Sequence, residues 1–369
     1  MVGGQDDILR GPAGALGYLL FIPLYWWNPR RWTTGFLVTT SLLWALLTLG
    51  PAYVAWLALL VGGGWLALRA ATRPSVETAS RPAGPWRTVL MLLAIAYTLL
   101  LLWPQPLLPP VQQPLYFYLQ WAGIGYIFLK LYHLVLDVSH GRLARPSPGT
   151  YAAYLLFAPT LRMGPIYRAG DFTEQLANRP ACFQPADLPP AFGRILLGLI
   201  RWGAVMVLRE RFPAEAVFGR PETLVGWELI AGIYAWPTAI FLWISGYADI
   251  AVGLGRLMGF RVPENFNYPW VATGLRDFWR RWHMTLGAWL RDFLYIPLGG
   301  NRRHVFVNFL ITFGFCGLWH GLYPSYFAWG LSQAIGLYIN RRWNEYWQGH
   351  RDRQSACYRW LRRWRLIDT

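Results

Sequence analysis

Long apolar runs dominate this sequence and restrict the folds open to it. A helix needs about 17–25 mostly apolar residues to cross the hydrocarbon core of a bilayer. Hydrophobic residues make up 55% of the chain and charged residues only 14%, against about a quarter in soluble proteins. The pattern predicts an all-α, polytopic membrane protein, with candidate spans near 13–27, 34–49, 51–70, 88–103, 115–137, 150–163, 191–208, 225–244, 305–323 and 325–340. Because several runs are short, we expect roughly 9–11 transmembrane or re-entrant helices.

The charge pattern orients these spans and argues against nucleic acid as a partner. The net charge of +16 comes from 33 arginines and a single lysine, Lys130. The arginines lie in the connections between apolar runs rather than in one soluble domain. Cytoplasmic loops of membrane proteins are enriched in arginine and lysine in the same way. We therefore place 69–87 and 138–149 in the cytoplasm, place the uncharged 104–114 outside, and expect membrane lipid rather than nucleic acid around the protein.

Composition divides the chain into three parts. Residues 1–150 are plain apolar helices and are expected to be a transmembrane scaffold, whereas polar residues crowd against the spans of 151–340, the predicted catalytic core. Residues 341–369 mix arginines with aromatics and are expected to form a cytoplasmic interfacial tail. The proline-rich stretch 160–190 is expected to be a loop, since proline ends helices.

Two Trp-His pairs, Trp282-His283 and Trp319-His320, stand 37 residues apart. An ionisable side chain at membrane depth is costly and usually serves function. His320 follows Cys316 and Trp319 on one helical face, among glycines that would admit another backbone or a substrate. The alternative is a packing face whose histidine is hydrogen-bonded to a neighbour. The second histidine makes a functional role the favoured interpretation.

The segment 275–294 is predicted to be one amphipathic helix in the plane of the membrane interface. Its apolar side would carry Trp279, Trp282 and His283, and its polar side would carry arginines. Membrane anchoring explains the arginines, but it does not explain a histidine on the apolar face.

Polar residues upstream are further candidates. Tyr247 and Asp249 stand where one apolar run ends and another begins. Asp249 would orient a histidine, balance an arginine such as Arg256, or simply be a carboxylate at a helix N-terminus. Asn267 lies in a proline-bounded loop, 263–270, which either lines an entrance or is a plain structural turn.

No other familiar site stands out. The sequence has no nucleophile elbow, no phosphate-binding loop and no cluster with metal-ligand spacing. His283 and His320 lack a third and fourth ligand, so we expect no metal. What remains is general-base chemistry: a neutral imidazole, with an ordinary pKa of about 6.5, takes a proton from an alcohol as that alcohol attacks an acyl carbonyl.

Four ordered motifs resemble the membrane-bound O-acyltransferase (MBOAT) family, and they lie at 157–172, 245–270, 277–303 and 317–321. Tyr295–Asn301 (YIPLGGN) resembles most the bacterial branch that O-acetylates alginate, peptidoglycan and other exopolysaccharides. The resemblance implies a helical ring around a central tunnel. It also implies that His320 is the catalytic histidine and that His283 is the second polar residue of the active site. The tunnel would then be lined by Trp279, Trp282, Trp319, Asp249, Asn267, Tyr247 and Cys316.

The resemblance also implies a reaction and its partners. The donor would be a cytoplasmic thioester, acetyl-CoA or an acyl carrier, used as a substrate with no bound cofactor. The acceptor would be a glycan hydroxyl, reached directly or through an extracytoplasmic SGNH-type acetyltransferase, at the bacterial inner membrane. The chain stops 49 residues after His320 and in length is more similar to the D-alanyl transferase of teichoic acid. D-alanyl or longer-acyl transfer, and a non-enzymatic transporter or scaffold of glycan export, therefore stay open.

Overall fold

The computed structural model describes residues 17–71, 123–321, 324–348 and Arg363. Throughout these residues the secondary structure is helical and no strand occurs, which confirms the all-α prediction. The helices are α1 (Phe21–Trp27), α2 (Thr33–Leu49), α3 (Pro51–Ala71), α4 (Ile124–Ser139), α5 (Pro148–Leu155), α6 (Ala158–Leu161), α7 (Ala169–Ala177), α8 (Leu188–Arg211), α9 (Gly226–Leu257), α10 (Leu275–Arg281), α11 (Met284–Leu290), α12 (Val305–His320) and α13 (Pro324–Gln348).

Three helical stretches of the described chain are long and apolar enough to cross a membrane: Arg30–Leu49, Pro185–Arg211 and Gly226–Leu257. Val305–His320 is apolar but shorter. The predicted span 88–103 and the connection 104–114 lie outside the described residues, as do most of 69–87 and of the tail after Gln348. The number of crossings therefore stays a prediction.

The chain clusters into two compact units. The described part of the first unit consists of 17–71 and 123–263, and that of the second consists of 264–321, 324–348 and Arg363. The division into scaffold, catalytic core and tail concerns roles, and it stays a prediction.

The first unit is built around an antiparallel pair, α8 and α9. Small residues let the two backbones approach closely. A Cβ on Gly246 would lie 3.1 Å from the carbonyl oxygen of Gly198, and one on Gly253 would lie 2.7 Å from that of Ala191. These positions leave no space for a larger side chain, so the glycines set the separation of the two helices.

Helix α9 runs without interruption through Ser245–Asp249, so the predicted junction of two apolar runs there is wrong. Asp249 lies inside the helix, 2% exposed, and forms ion pairs with Arg194 at 2.7 Å and with Arg201. Asp249 therefore balances arginines, as one of the expected roles requires, but Arg256 is not among them, since it bonds Asp187 at 2.8 Å. The expected position at a helix N-terminus is wrong, because Asp249 lies inside α9. Tyr247 and Asp249 contact α8. They make this part of the sequence less apolar, but the helix continues through it.

The predicted span 150–163 is also broken, into α5 and α6. Phe157 has a ψ of 102°, which is outside the helical region. Pro159 lies in the first turn of α6, where the N–H group that proline lacks would have no partner within the helix. Lys130 joins the two helices: its buried ammonium donates to the Tyr154 carbonyl at 3.1 Å and to Thr160 Oγ1 at 3.2 Å. The predicted loop 160–190 contains a helix of its own, α7.

The second unit contains the close pair α12 and α13. A Cβ on Gly317 would overlap the carbonyl oxygen of Tyr326, and one on Gly330 would overlap that of Phe313. Gly314 lies against the Phe327 ring, where a Cβ would be 3.2 Å from it. Gly314 and Gly317 therefore admit a neighbouring helix, which is one of the two roles expected from the sequence. Phe327 belongs to α13.

Gly330→Ala tests this close approach. We expect the substitution to reduce the free energy of unfolding by about 1–3 kcal/mol, because the added methyl group forces two backbones apart. The control is Gly193→Ala on α8, where a Cβ meets nothing within 4 Å. Thermal unfolding in detergent, followed by tryptophan fluorescence, compares the two. Equal midpoints would contradict the packing described here.

Candidate active site

The helical backbone is interrupted at Trp282-His283. Helix α10 ends at Arg281 and α11 begins at Met284, so the single helix predicted over 275–294 is wrong. His283 has φ 44° and ψ 52°, in the left-handed region. This conformation costs a non-glycine residue of order 1–3 kcal/mol, and residues that adopt it cluster at functional sites. Its side chain is only 4% exposed.

Two backbone hydrogen bonds clamp this turn. The amide of Asn267 donates to the carbonyl of Arg281 at 2.9 Å, and the amide of Met284 donates to the carbonyl of Asn265 at 2.8 Å. They lie on either side of Trp282-His283 and tie the turn to the segment 265–267. These hydrogen bonds hold His283 in the left-handed conformation, and such support is what allows a strained residue to persist.

Asn265, a residue the sequence argument did not select, supports the clamp from the side. It is fully buried, and its Oδ1 accepts hydrogen bonds from the Thr285 amide at 3.2 Å and from Thr285 Oγ1 at 2.8 Å. Asn267, which was predicted to line the tunnel, has an exposed side chain and takes part through its backbone. Only its place in a proline-bounded loop connected Asn265 to the site in sequence.

His320 is the last residue of α12 and is surrounded by aromatic rings. Its imidazole centroid lies 5.0 Å from that of Trp319, 5.4 Å from that of Trp329 and 6.3 Å from that of Tyr326. The Trp329 ring meets the imidazole edge to face, at 81°. Trp329 and Tyr326 come from α13, so no sequence spacing could connect them to His320.

The two histidines border one aromatic cluster, defined as Phe266, Phe278, Trp279, Trp282 and Trp329. Adjacent members have ring centroids 5.3–6.0 Å apart. Trp329 contacts His320 at 5.4 Å, and Phe266 lies 6.2 Å from His283. Both histidines thus lie against the same cluster, and their role as active-site residues stays a prediction.

Two buried donors of the site have no hydrogen-bond partner among the described residues: Trp279 Nε1 and Asn265 Nδ2. Buried donors in native proteins are nearly always paired, and leaving one unpaired costs about 1–3 kcal/mol. A polar group of a substrate would satisfy such a donor.

The other predicted residues divide between the units. Trp279, Trp282, Trp319 and Cys316 belong to the second unit with the histidines, and Cys316 is buried one turn before His320. Tyr247 and Asp249 belong to the first unit. No group of three His, Cys, Asp or Glu side chains able to hold a metal occurs in the described chain. The expectations of no metal and no bound cofactor stay predictions.

Asn265→Ala tests the support of the His283 turn. We expect a loss of about 1–3 kcal/mol in the free energy of unfolding, because Thr285 loses a buried acceptor. Asn267→Ala is the control. It removes an exposed carboxamide from the same loop and should change the free energy of unfolding by no more than about 0.5 kcal/mol. Thermal unfolding in detergent measures both variants. An equal effect of the two substitutions would contradict the role given to Asn265.

Known bacterial proteins are similar to this chain. The probable alginate O-acetylase AlgI of Pseudomonas putida is 34% identical over 227 residues, which cover 59% of this chain and 45% of that protein. The peptidoglycan O-acetyltransferase of Helicobacter pylori is 32% identical over 207 residues, 53% of this chain and 37% of that protein. The teichoic acid D-alanyltransferase of Bacillus subtilis is 28% identical over 281 residues, 72% of this chain and 69% of that protein. The chain thus spans less than half the length of the two acetylating relatives.

A sequence profile of the membrane-bound O-acyltransferase family matches residues 86–365, well over half of the chain. The membrane-bound character of that family agrees with the three long apolar helices of the described residues. The predicted location, a multi-pass protein of the bacterial cytoplasmic membrane, is confirmed by this agreement and by the bacterial relatives. The chain belongs to the membrane-bound O-acyltransferase family.

Proposed function

We propose that this protein transfers an acyl group, most simply acetyl, from a thioester donor to hydroxyls of an exported or cell-wall polysaccharide. The family membership and the named activities of the alginate and peptidoglycan relatives support this reaction class. The observation that carries the proposal is the position of His283 and His320 against one aromatic cluster.

In the proposed mechanism His320 is the general base. Its imidazole nitrogen takes the proton of the acceptor hydroxyl while the hydroxyl oxygen attacks the acyl carbonyl. The tetrahedral intermediate then collapses, the carbon–sulfur bond breaks, and the thiolate leaves with the proton from the imidazolium. The half-buried rings of Trp319 and Trp329 beside His320 support this role, because they limit the access of water that would compete for the acyl group.

His283 is proposed to orient the acyl carbonyl or to relay the proton. Its buried, clamped position supports a role that requires fixed geometry. Two imidazoles at one cluster would oppose double protonation, because like charges repel each other. This arrangement suits the passage of a single proton through the pair.

Trp279 is proposed to stabilise the oxyanion of the tetrahedral intermediate. Its indole N–H is a buried donor without a partner in the described part of the chain, and its ring lies 6.0 Å from that of Trp329, which contacts His320. A preorganised donor that meets developing negative charge in a water-poor site is among the largest contributions to catalysis.

The donor and the outward direction of transfer are parts of the same proposal. The donor would be acetyl-CoA or an acyl carrier thioester, used as a substrate from the cytoplasm. Arg302 and Arg303 favour a cytoplasmic start of α12, and its 16 residues extend about 24 Å, which brings His320 toward the outer side of a core of about 30 Å. There an external glycan, or an SGNH-type acetyltransferase partner, would receive the acyl group.

D-alanyl transfer is the second candidate. The teichoic acid D-alanyltransferase of Bacillus subtilis matches a larger share of this chain, 72%, than the acetylating relatives do, although at a lower identity. Purified protein supplied with an acetyl thioester or with a D-alanyl thioester would distinguish the two reactions by which acyl group becomes ester-linked to the acceptor.

His320→Ala tests the general base. We expect ester-linked acetate on the envelope polysaccharide, released by mild alkali, to fall by about 10²–10⁴-fold, the contribution of a positioned acid–base group. His140→Ala, at an exposed histidine of the first unit, is the control and should leave acetylation unchanged. Membrane content of each variant is measured by immunoblot. Unchanged acetylation in a folded His320→Ala protein would contradict the mechanism. Loss of polysaccharide export without any acyl product would favour the transporter or scaffold instead.

Trp279→Phe tests the oxyanion donor, because it keeps an aromatic ring and removes the N–H. We expect kcat to fall by about 10²–10³-fold with little change in KM, as for loss of one oxyanion-hole donor. Trp270→Phe is the matched control, since that side chain is 56% exposed. Equal rates for the two variants in a thioester-dependent assay would exclude this role for Trp279.

A further inference from the structure

The imidazole of His320 lies among aromatic rings and forms no hydrogen bond or ion pair with any residue that the structure describes. His133 of the first unit shows the usual arrangement, since its Nε2 lies 2.9 Å from the Tyr154 hydroxyl and accepts from the Ala169 amide at 3.3 Å. A histidine that acts as a base is ordinarily oriented by a hydrogen bond to one ring nitrogen. In His320, the contacts available to orient the ring are aromatic.

Trp329 makes the contact that is best suited to this task. Its indole centroid lies 5.4 Å from the imidazole centroid, and the two ring planes meet at 81°. Rings that are nearly perpendicular, with centroids about 4.5–7 Å apart, place the positive edge of one against the negative face of the other. Trp319 precedes His320 on the same helix and moves with it, whereas Tyr326 is more distant, at 6.3 Å, and 42% exposed.

Trp329 is itself held in place within the second unit. The next residue, Gly330, packs against the carbonyl of Phe313, which fixes the approach of α13 to α12. The ring of Trp279 lies 6.0 Å from that of Trp329 and 5.3 Å from that of Phe313. Trp329 therefore has a defined position from which it can orient a second ring.

The charge that develops on His320 gives this contact a chemical role. When the imidazole takes the proton of the acceptor hydroxyl, it becomes a cation, and no ion pair within 17–71, 123–321 and 324–348 includes it. A cation within about 6 Å of an indole centroid is attracted by the face of the ring, most strongly where water is scarce. The attraction is greater for the imidazolium than for the neutral imidazole, so it favours the state that forms during transfer.

We propose that Trp329 is the positioning residue of His320. The imidazole presents its edge to the indole face, which sets the orientation of the imidazole ring and stabilises the imidazolium. Trp329 exchanges no proton: the proton passes from the acceptor hydroxyl to His320 and then to the leaving thiolate. This inference rests on the proposed general-base role of His320.

Fluorinated tryptophan at position 329 tests the contact without altering the packing. Fluorine withdraws electron density from the indole face and leaves the shape of the ring nearly unchanged, so the attraction for a cation weakens in steps. Mono-, di- and trifluorotryptophan are incorporated at this position alone in the full-length protein. Membrane vesicles that contain each variant are supplied with acetyl-CoA and envelope polysaccharide, and rates normalised by immunoblot give kcat and KM. The matched control is the same series at Trp343, which lies on the same helix and is 44% exposed.

We expect kcat to fall stepwise with the number of fluorine atoms at position 329, by about tenfold across the series, the scale of a cation–π contact with little water around it. KM should change by less than about twofold, because the neutral imidazole of the ground state depends least on the contact. The series at Trp343 should leave both constants unchanged. Trp329→Phe should keep part of the rate, and Trp329→Leu should lose about as much as the trifluorinated ring.

Two results would overturn the inference, and they are distinguishable. A kcat that is independent of fluorination, in a protein whose transfer is abolished by His320→Ala, would remove the role of Trp329 and leave the general base intact. A loss in Trp329→Leu would then be a packing effect, which a lowered unfolding midpoint of that variant would show. Unchanged transfer in a folded His320→Ala protein would overturn the general base and, with it, the role of Trp329.

Discussion

The left-handed backbone at His283 is the constraint on which the second unit depends. In a continuous helix over 275–294, Trp282 and His283 would lie on one side of the helix, and the turn that is bonded to 265–267 would not exist. The turn instead places His283 in a buried position between two backbone hydrogen bonds, 2.8 Å and 2.9 Å long. The strain of order 1–3 kcal/mol is offset by these bonds and by the two hydrogen bonds that Asn265 Oδ1 accepts from Thr285.

Close helix packing completes the site from the other side. Because Gly317 and Gly330 have no side chains, α12 and α13 approach until each glycine nearly touches the opposite backbone. That approach brings Trp329 against His320 at the end of α12. The first unit uses the same device at Gly198 and Gly246, where it brings Asp249 within reach of Arg194 and Arg201. In both units, small residues decide which polar side chains meet.

The sequence was sufficient for features that depend on local composition. The length and apolarity of α2, α8 and α12 predicted these helices closely, and the ordered motifs predicted the family. The break at His283 could not be predicted, because the apolar residues on both of its sides keep a helical spacing of three and four. The partners of Asp249 are 55 and 48 residues away in the chain, so a local sequence pattern could not identify them.

The same limit applies to the residues around the histidines. Asn265 and Asn267 are equivalent by composition, and only the packing of Thr285 against Asn265 distinguishes them. Trp329 is one of 23 tryptophans and has no spacing relation to His320 that a sequence would reveal. Burial and hydrogen bonding across elements, rather than residue type, select both residues.

The central claim is that His283 and His320 act on one substrate as a unit. A double-mutant cycle measures this most directly, with kcat/KM for thioester-dependent acylation determined for His283→Ala, His320→Ala and the double variant. The account predicts that the double variant is hardly slower than His320→Ala alone, with a coupling free energy of about 0.5–3 kcal/mol or more. Additive losses, with no coupling between the two substitutions, would contradict it.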